Sequence, residues 1–114
     1  ILNFANADMV GHTGDMAAAI KAIEALDVCV DKIVDAVLAA DGQILLTADH
    51  GNDPTFSGND HTRENVPVIM YSRNFKTPGR LKQFDTFANI GATIADNFDI
   101  EMPEIGESIL KELK

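Results

Sequence analysis

All three histidines of this 114-residue chain sit in polar, glycine-containing stretches beside aspartates. His12 closes Asp8-Met9-Val10-Gly11-His12, His50 follows Asp49 in Thr47-Ala48-Asp49-His50-Gly51-Asn52, and His61 follows Asp60 in Asp60-His61-Thr62-Arg63. Imidazole together with carboxylate suits Mn²⁺, Zn²⁺ and iron, and the absence of clustered thiolates disfavours softer ions. A lone Asp–His pair in a loop is ordinarily a solvated turn. Three such groupings, which use every histidine of the chain, set a metal site beside that reading. Adjacent strand residues point to opposite faces. Asp49 and His50 can therefore serve one centre only where the chain turns, and Gly51 permits a turn there.

Positioning such groups takes regular elements. Ile1 to Asn6 reads as a strand that starts abruptly, as in a segment excised from a larger domain. From about Asp15 to Ala40 the residues Ile20, Ile23, Leu26, Val30, Ile33, Val37 and Leu38 recur at three- and four-residue steps, which predicts a helix with one buried face. Thr13 can cap its start, Asp15 suits its first turn, and Asp41-Gly42 ends it. Gln43 to Ala48 reads as a strand whose unbroken Ile44-Leu45-Leu46 run suggests a parallel sheet covered on both faces. Val66 to Tyr71 is a further strand with Pro67 at its entry or an edge. Ser72 to Lys82 is a loop turning at Pro78-Gly79. A helix capped by Asp85 or Thr86 then runs to about Phe98, with Phe87, Ile90, Ile94 and Phe98 inward, and a weaker one spans Glu104 to Lys114. The order predicts an α/β fold with mainly parallel strands flanked by helices. Ligand sites in such sheets form at the carboxyl ends of strands, where Asp8, His12, Asp49 and His50 would lie, with His61 on the following loop.

Composition narrows the partners. Nine basic against eighteen acidic residues give a net charge of −9, which argues against nucleic acid and anionic membrane surfaces. Apolar residues make up 46% of the chain, enough for a globular domain. The single cysteine, Cys29, excludes an internal disulfide and is expected to be semi-buried and inert. No apolar run reaches the roughly 20 residues of a membrane span, and no signal segment is visible, so a cytoplasmic setting is expected. No internal repeat is present. Arg63 could clamp a phosphate, though pairing with Glu64 or a nearby aspartate is favoured; Asp60 reads as a solvated loop residue or a support to the ligands. Lys76, Arg80 and Lys82 read as a solvated basic cluster.

The run Thr47 to Phe56, followed by Asp60-His61-Thr62-Arg63-Glu64-Asn65-Val66-Pro67, closely resembles the phosphopentomutase family, as do Phe87 to Phe98 and Ile105-Gly106-Glu107-Ser108. The opening Asn3 to Asp15 and the helix after it are similar instead to the cofactor-independent phosphoglycerate mutases. Asp8 and His12 are four apart as in those mutases, whereas His50 and His61 are eleven apart as in phosphopentomutases. Both families belong to the alkaline phosphatase-like metalloenzyme superfamily, and the resemblances together cover nearly the whole chain.

The resemblance implies that residues 1–114 form the C-terminal segment of a three-layer alkaline phosphatase-like core. It implies two divalent ions, usually Mn²⁺, with Zn²⁺ or Mg²⁺ as alternatives. Asp8, His12 and His61 would hold one ion, and Asp49 and His50 the other. The families also use an N-terminal aspartate, a Ser or Thr nucleophile and an inserted cap that carries most substrate contacts. None of these has a matching motif here, so the segment alone is expected to be inactive, with the rest of the core and the cap as its partners. The implied reaction is an intramolecular phosphate transfer on a phosphorylated small molecule through a phosphoenzyme. That reaction is ribose 1-phosphate to ribose 5-phosphate for phosphopentomutase, with 2- and 3-phosphoglycerate as the alternative, and an isolated metal-binding fragment without activity as a third reading.

Overall fold

A computed structural model of the chain describes residues 1–75 and 78–113. Lys76 of the expected basic cluster, Thr77 and the end of the last helix at Lys114 lie outside the described residues. The chain forms two compact units, Ile1–Ser72 and Arg73–Lys114. No helix among the described residues is long and apolar enough to cross a membrane.

The first unit opens on a correction. Residues 1–5 form no strand; a short helix, α1, spans Asn6–Gly11. Ile1 and Leu2 are exposed, and a strand without a neighbour would leave its backbone groups unpaired. In helical form the amides find local partners instead, Met9 N–H on Ala5 C=O at 3.0 Å and His12 N–H on Asp8 C=O at 3.1 Å.

Helix α2, Met16–Ala39, matches the predicted span. Its alanine-rich first turns carry no glycine or proline to break them. Asp15, rather than Thr13, is the N-cap: its side chain accepts from Ala18 N–H at 3.0 Å. Thr13 instead accepts from Asp15 N–H and donates to Val10 C=O at 2.6 Å, tying the end of α1 to the start of α2. The helix ends as expected at Asp41-Gly42, where Asp41 takes a positive φ of 54° and Gly42 N–H reaches Val37 C=O at 2.8 Å. Leu26, Val30, Ile33 and Val37 are half-buried and Leu38 is buried, but Ile20 and Ile23 remain exposed. Cys29 is exposed rather than semi-buried.

Strands β1, Ile44–Thr47, and β2, Val68–Tyr71, fall within the predicted segments but pair antiparallel, Ile44 opposite Tyr71 and Thr47 opposite Val68. The expectation of mainly parallel strands is therefore corrected among the described residues, which hold a two-stranded antiparallel sheet with helices. The cause lies between the strands. The polar stretch after β1 folds back on itself through an antiparallel bridge of Gly51 with Thr62, which returns the chain in the opposite direction. The apolar run in β1 is half-buried rather than covered on both faces.

The second unit is held by α3, Ala88–Asn97, and the chain that returns to it. Thr86 Oγ1 accepts from Ala88 N–H at the entry of α3, at 3.2 Å. The buried residues of α3 are Asn89, Ala92, Thr93 and Ala95, whereas Phe87, Ile94 and Phe98 are exposed, so the inward face differs from the expected one. Small residues face in because a backbone packs there. Asn89 Oδ1 accepts from Glu107 N–H at 3.2 Å, and Thr93 Oγ1 accepts from Ile109 N–H at 3.1 Å. Among the described residues the terminal helix α4 spans Leu110–Leu113 and not the stretch from Glu104, with Ile109 and Leu110 buried. Pro78 and Gly79 lie in irregular chain without an assigned turn.

Candidate metal centre

Three segments of the first unit bring the sequence-identified groups together. The helical form of α1 explains the spacing of Asp8 and His12, because residues four apart share one face. Asp8 Oδ1 lies 3.3 Å from His12 Nε2. The loop after β1 brings His50 Nε2 to 3.9 Å from the same oxygen, and the loop before β2 brings His61 Nε2 to 3.3 Å. Three imidazoles thus converge on one carboxylate oxygen. The rings of His50 and His61 stack at 3.7 Å between centroids, and His12 and His61 are 5.0 Å apart.

Asp49 stands differently. Its side chain is 89% exposed, and its Oδ1 is 3.7 Å from His50 Nε2. His50 therefore lies between two carboxylates, slightly nearer Asp49 than Asp8. Asp8, His50 and His61 form the compact trio, with one ligand atom from each and all three within 4.8 Å of one another. The nitrogen and oxygen donors of the trio fit a borderline or hard divalent ion.

The surroundings prepare these atoms. His50 Nδ1 is 3.1 Å from Gly51 C=O, so it donates there in the tautomer that leaves the Nε2 lone pair free for a ligand. Gly51 takes no positive φ; it serves the site by close pairing with Thr62, whose N–H donates to Gly51 C=O at 3.0 Å. Thr62 Oγ1 accepts from Asp53 N–H at 2.7 Å and donates to Glu64, so Glu64 is engaged by Thr62 rather than by Arg63. Asp53 Oδ1 in turn accepts from Thr55 N–H and Oγ1, which holds its carboxyl below the ordinary range. These contacts fix the spacing between the His50 and His61 segments.

The residue that spacing alone missed is Asn52. Its Nδ2 donates to Asp8 Oδ1 at 2.8 Å and to Asp8 C=O at 3.0 Å, across 44 residues of sequence. That hydrogen bond is the main reason the Asp8 carboxyl titrates below its usual value. Burial opposes the shift, and the neighbouring His12, His61 and His50 add to it. An ionised carboxylate is the form that binds a cation. An asparagine beside Asp49-His50-Gly51 reads as a turn residue, so only its distant contact reveals this part.

A model of the Metalloenzyme superfamily matches residues 1–102, a stretch that contains Asp8, His12, Asp49, His50, Asn52 and His61. The members of that superfamily are metal-dependent enzymes, which agrees with the nitrogen and oxygen donors gathered here. By this match the chain belongs to the Metalloenzyme superfamily.

Proposed function

We propose that the chain is the metal-holding segment of a phosphomutase that moves a phosphoryl group between two hydroxyls of one substrate, with the pentose 1- and 5-phosphates as that substrate. The observation that carries the proposal is the convergence of His12, His50 and His61 on Asp8. On this reading Asp8, His12 and His61 hold one divalent ion, and Asp49 and His50 hold a second. The distances support that division: Asp8 is closest to His12 and His61, and Asp49 is the nearer carboxylate to His50. The proposed ion is Mn²⁺, with Zn²⁺ or Mg²⁺ as alternatives.

Divalent ions bound here would supply charge neutralisation for a transferring phosphoryl group and acidify its hydroxyl partner. The chain's own contribution is to keep Asp8 ionised, to aim His50 Nε2 through the Gly51 carbonyl, and to leave Asp49 open to solvent. The Ser or Thr nucleophile, the remaining layers of the core and the substrate-binding cap are proposed to come from outside residues 1–114. Residues 1–114 by themselves are then without turnover, and the whole enzyme works in the cytoplasm. Phosphoglycerate is the second reading, favoured by the Asp8–His12 spacing, which in α1 is one helical turn.

Titration with Mn²⁺, followed by the electron paramagnetic resonance of the free ion, tests the proposal. Two bound ions per chain are expected. One ion would leave only the compact trio of Asp8, His50 and His61, and none would overturn the metal reading. His61→Ala is expected to weaken binding by more than about 100-fold. Ribose 5-phosphate is expected to perturb the signal of the bound ion, and a response to 3-phosphoglycerate alone would favour the second reading.

A further inference from the structure

We infer that Asn52 is the positioning residue of the metal centre, and that the Asn52–Asp8 link is what joins α1 to the loop after β1 in a ligating arrangement. The inference rests on the metal-binding reading above.

Two independent observations carry it. The first is the double hydrogen bond. One Asn52 nitrogen donates both to the Asp8 carboxylate, at 2.8 Å, and to the Asp8 main-chain carbonyl, at 3.0 Å. A contact with the side chain alone would leave α1 free to slide. Adding the main-chain oxygen fixes the helix and its carboxylate together, so Asp8 keeps one orientation toward the imidazoles. The described hydrogen bonds between α1 and the loop after β1 are these two.

The second observation is the space made for the amide. Gly11 is the buried residue of α1, and a Cβ added there would sit 3.1 Å from both Asn52 Cγ and Asn52 Nδ2. A side chain at position 11 would press the amide away from Asp8. Glycine as the last residue of α1 leaves that space open to the Asn52 amide. His12 lies one residue further on and takes its place against Asp8 from the same helix end.

Asn52 therefore acts on the metal through Asp8 and does not itself contribute a ligand. Its nitrogen points at the carboxylate as a donor, and partners of this kind typically change metal affinity by about 10- to 100-fold when lost. The same approach makes Gly11→Ala a partial version of the same lesion.

The test compares Mn²⁺ affinity in the 114-residue chain and in Asn52→Leu and Asn52→Ala. Leucine keeps nearly the volume that packs against Gly11 but has no donor; alanine loses both. If the donor positions Asp8, both variants lose about 10- to 100-fold in affinity. Wild-type affinity in the leucine variant would overturn the inference and assign Asn52 to packing. A second measurement needs no variant and no metal. In the metal-free wild-type protein the Asn52 side-chain NH₂ protons are expected to exchange with solvent at least tenfold more slowly than those of the exposed Asn59. Equal rates would overturn the inference even if the variants failed to fold. Failure of the wild-type chain to bind Mn²⁺ would count against the metal reading, while the exchange measurement would still decide the Asn52–Asp8 link.

Discussion

The two units of the chain are organised by different forces. In Ile1–Ser72 the residues that converge are polar: Asp8, His12, His50, Asn52 and His61 come from three segments, while much of the apolar surface of α2, including Ile20, Ile23 and Val28, stays exposed. In Arg73–Lys114 the convergence is of apolar groups, with Ala92 fully buried and Ala95, Ile109 and Leu110 nearly so. Polar groups in that unit serve the packing: Asn89 and Thr93 are buried, and each satisfies an amide of the returning chain. One unit is built around a site and the other around a core. The difference implies that the first gains stability from what binds to it, and the second from its own contacts.

The largest expected effect breaks the second unit alone. Gly106 has a φ of +106°, and a Cβ there would run into the Ala88 carbonyl at the start of α3. Gly106→Ala is expected to destabilise residues 73–113 by about 3 kcal/mol, with backbone strain added to the clash. Hydrogen exchange should show the loss in α3 while the amides of β1 and β2 keep their protection.

Metal addition should do the converse. At a free Mn²⁺ concentration of 100 times its dissociation constant, an ion bound only by the folded form stabilises by about 2.7 kcal/mol. Exchange protection is expected to rise within residues 1–72, and uniform protection of both units would erase the contrast. A smaller effect follows from Asp15→Ala, which removes the side-chain acceptor for Ala18 N–H and is expected to cost α2 about 1 kcal/mol in a thermal or denaturant melt.

Acid should produce the smallest difference. The two carboxyls among the described residues that titrate below their ordinary value, Asp8 and Asp53, both lie in the first unit. A lowered value means the folded state favours the ionised form. That contribution is present above the usual carboxylate range and disappears as pH falls through the lowered values, below about 3.8. Acid unfolding monitored residue by residue should therefore loosen α1 around Asp8 and the loop around Asp53 before α3.

What the sequence made legible divides along the same line. Helix α2 could be read because its periodic apolar positions and its Asp41-Gly42 stop are local signals. Strands β1 and β2 could be read as strands, but not their direction, which depends on how the stretch after β1 folds back through Gly51 and Thr62. The first segment, apolar at Ile1, Leu2 and Phe4, looked like a strand, but strand formation needs a partner that no local pattern supplies. In α3 the large apolar residues pointed to the wrong face, because the space beside Ala92 and Ala95 is set by a backbone 16 to 18 residues away in sequence, with Thr93 and Asn89 as its anchors. Among the site residues, Asp8, His12, His50 and His61 were visible by chemical type. Asn52 was not, because a donor's role depends on the acceptor it meets.

Whether Asp8 is the hub of a divalent metal centre is decided by a crystal structure of the Mn²⁺-loaded protein with anomalous diffraction collected at the manganese edge. A metal centre at Asp8 predicts an anomalous peak within ligand distance of Asp8, His12 and His61, with a second beside Asp49 and His50. Loaded crystals with no peak at Asp8, or with manganese bound only elsewhere on the chain, would contradict it.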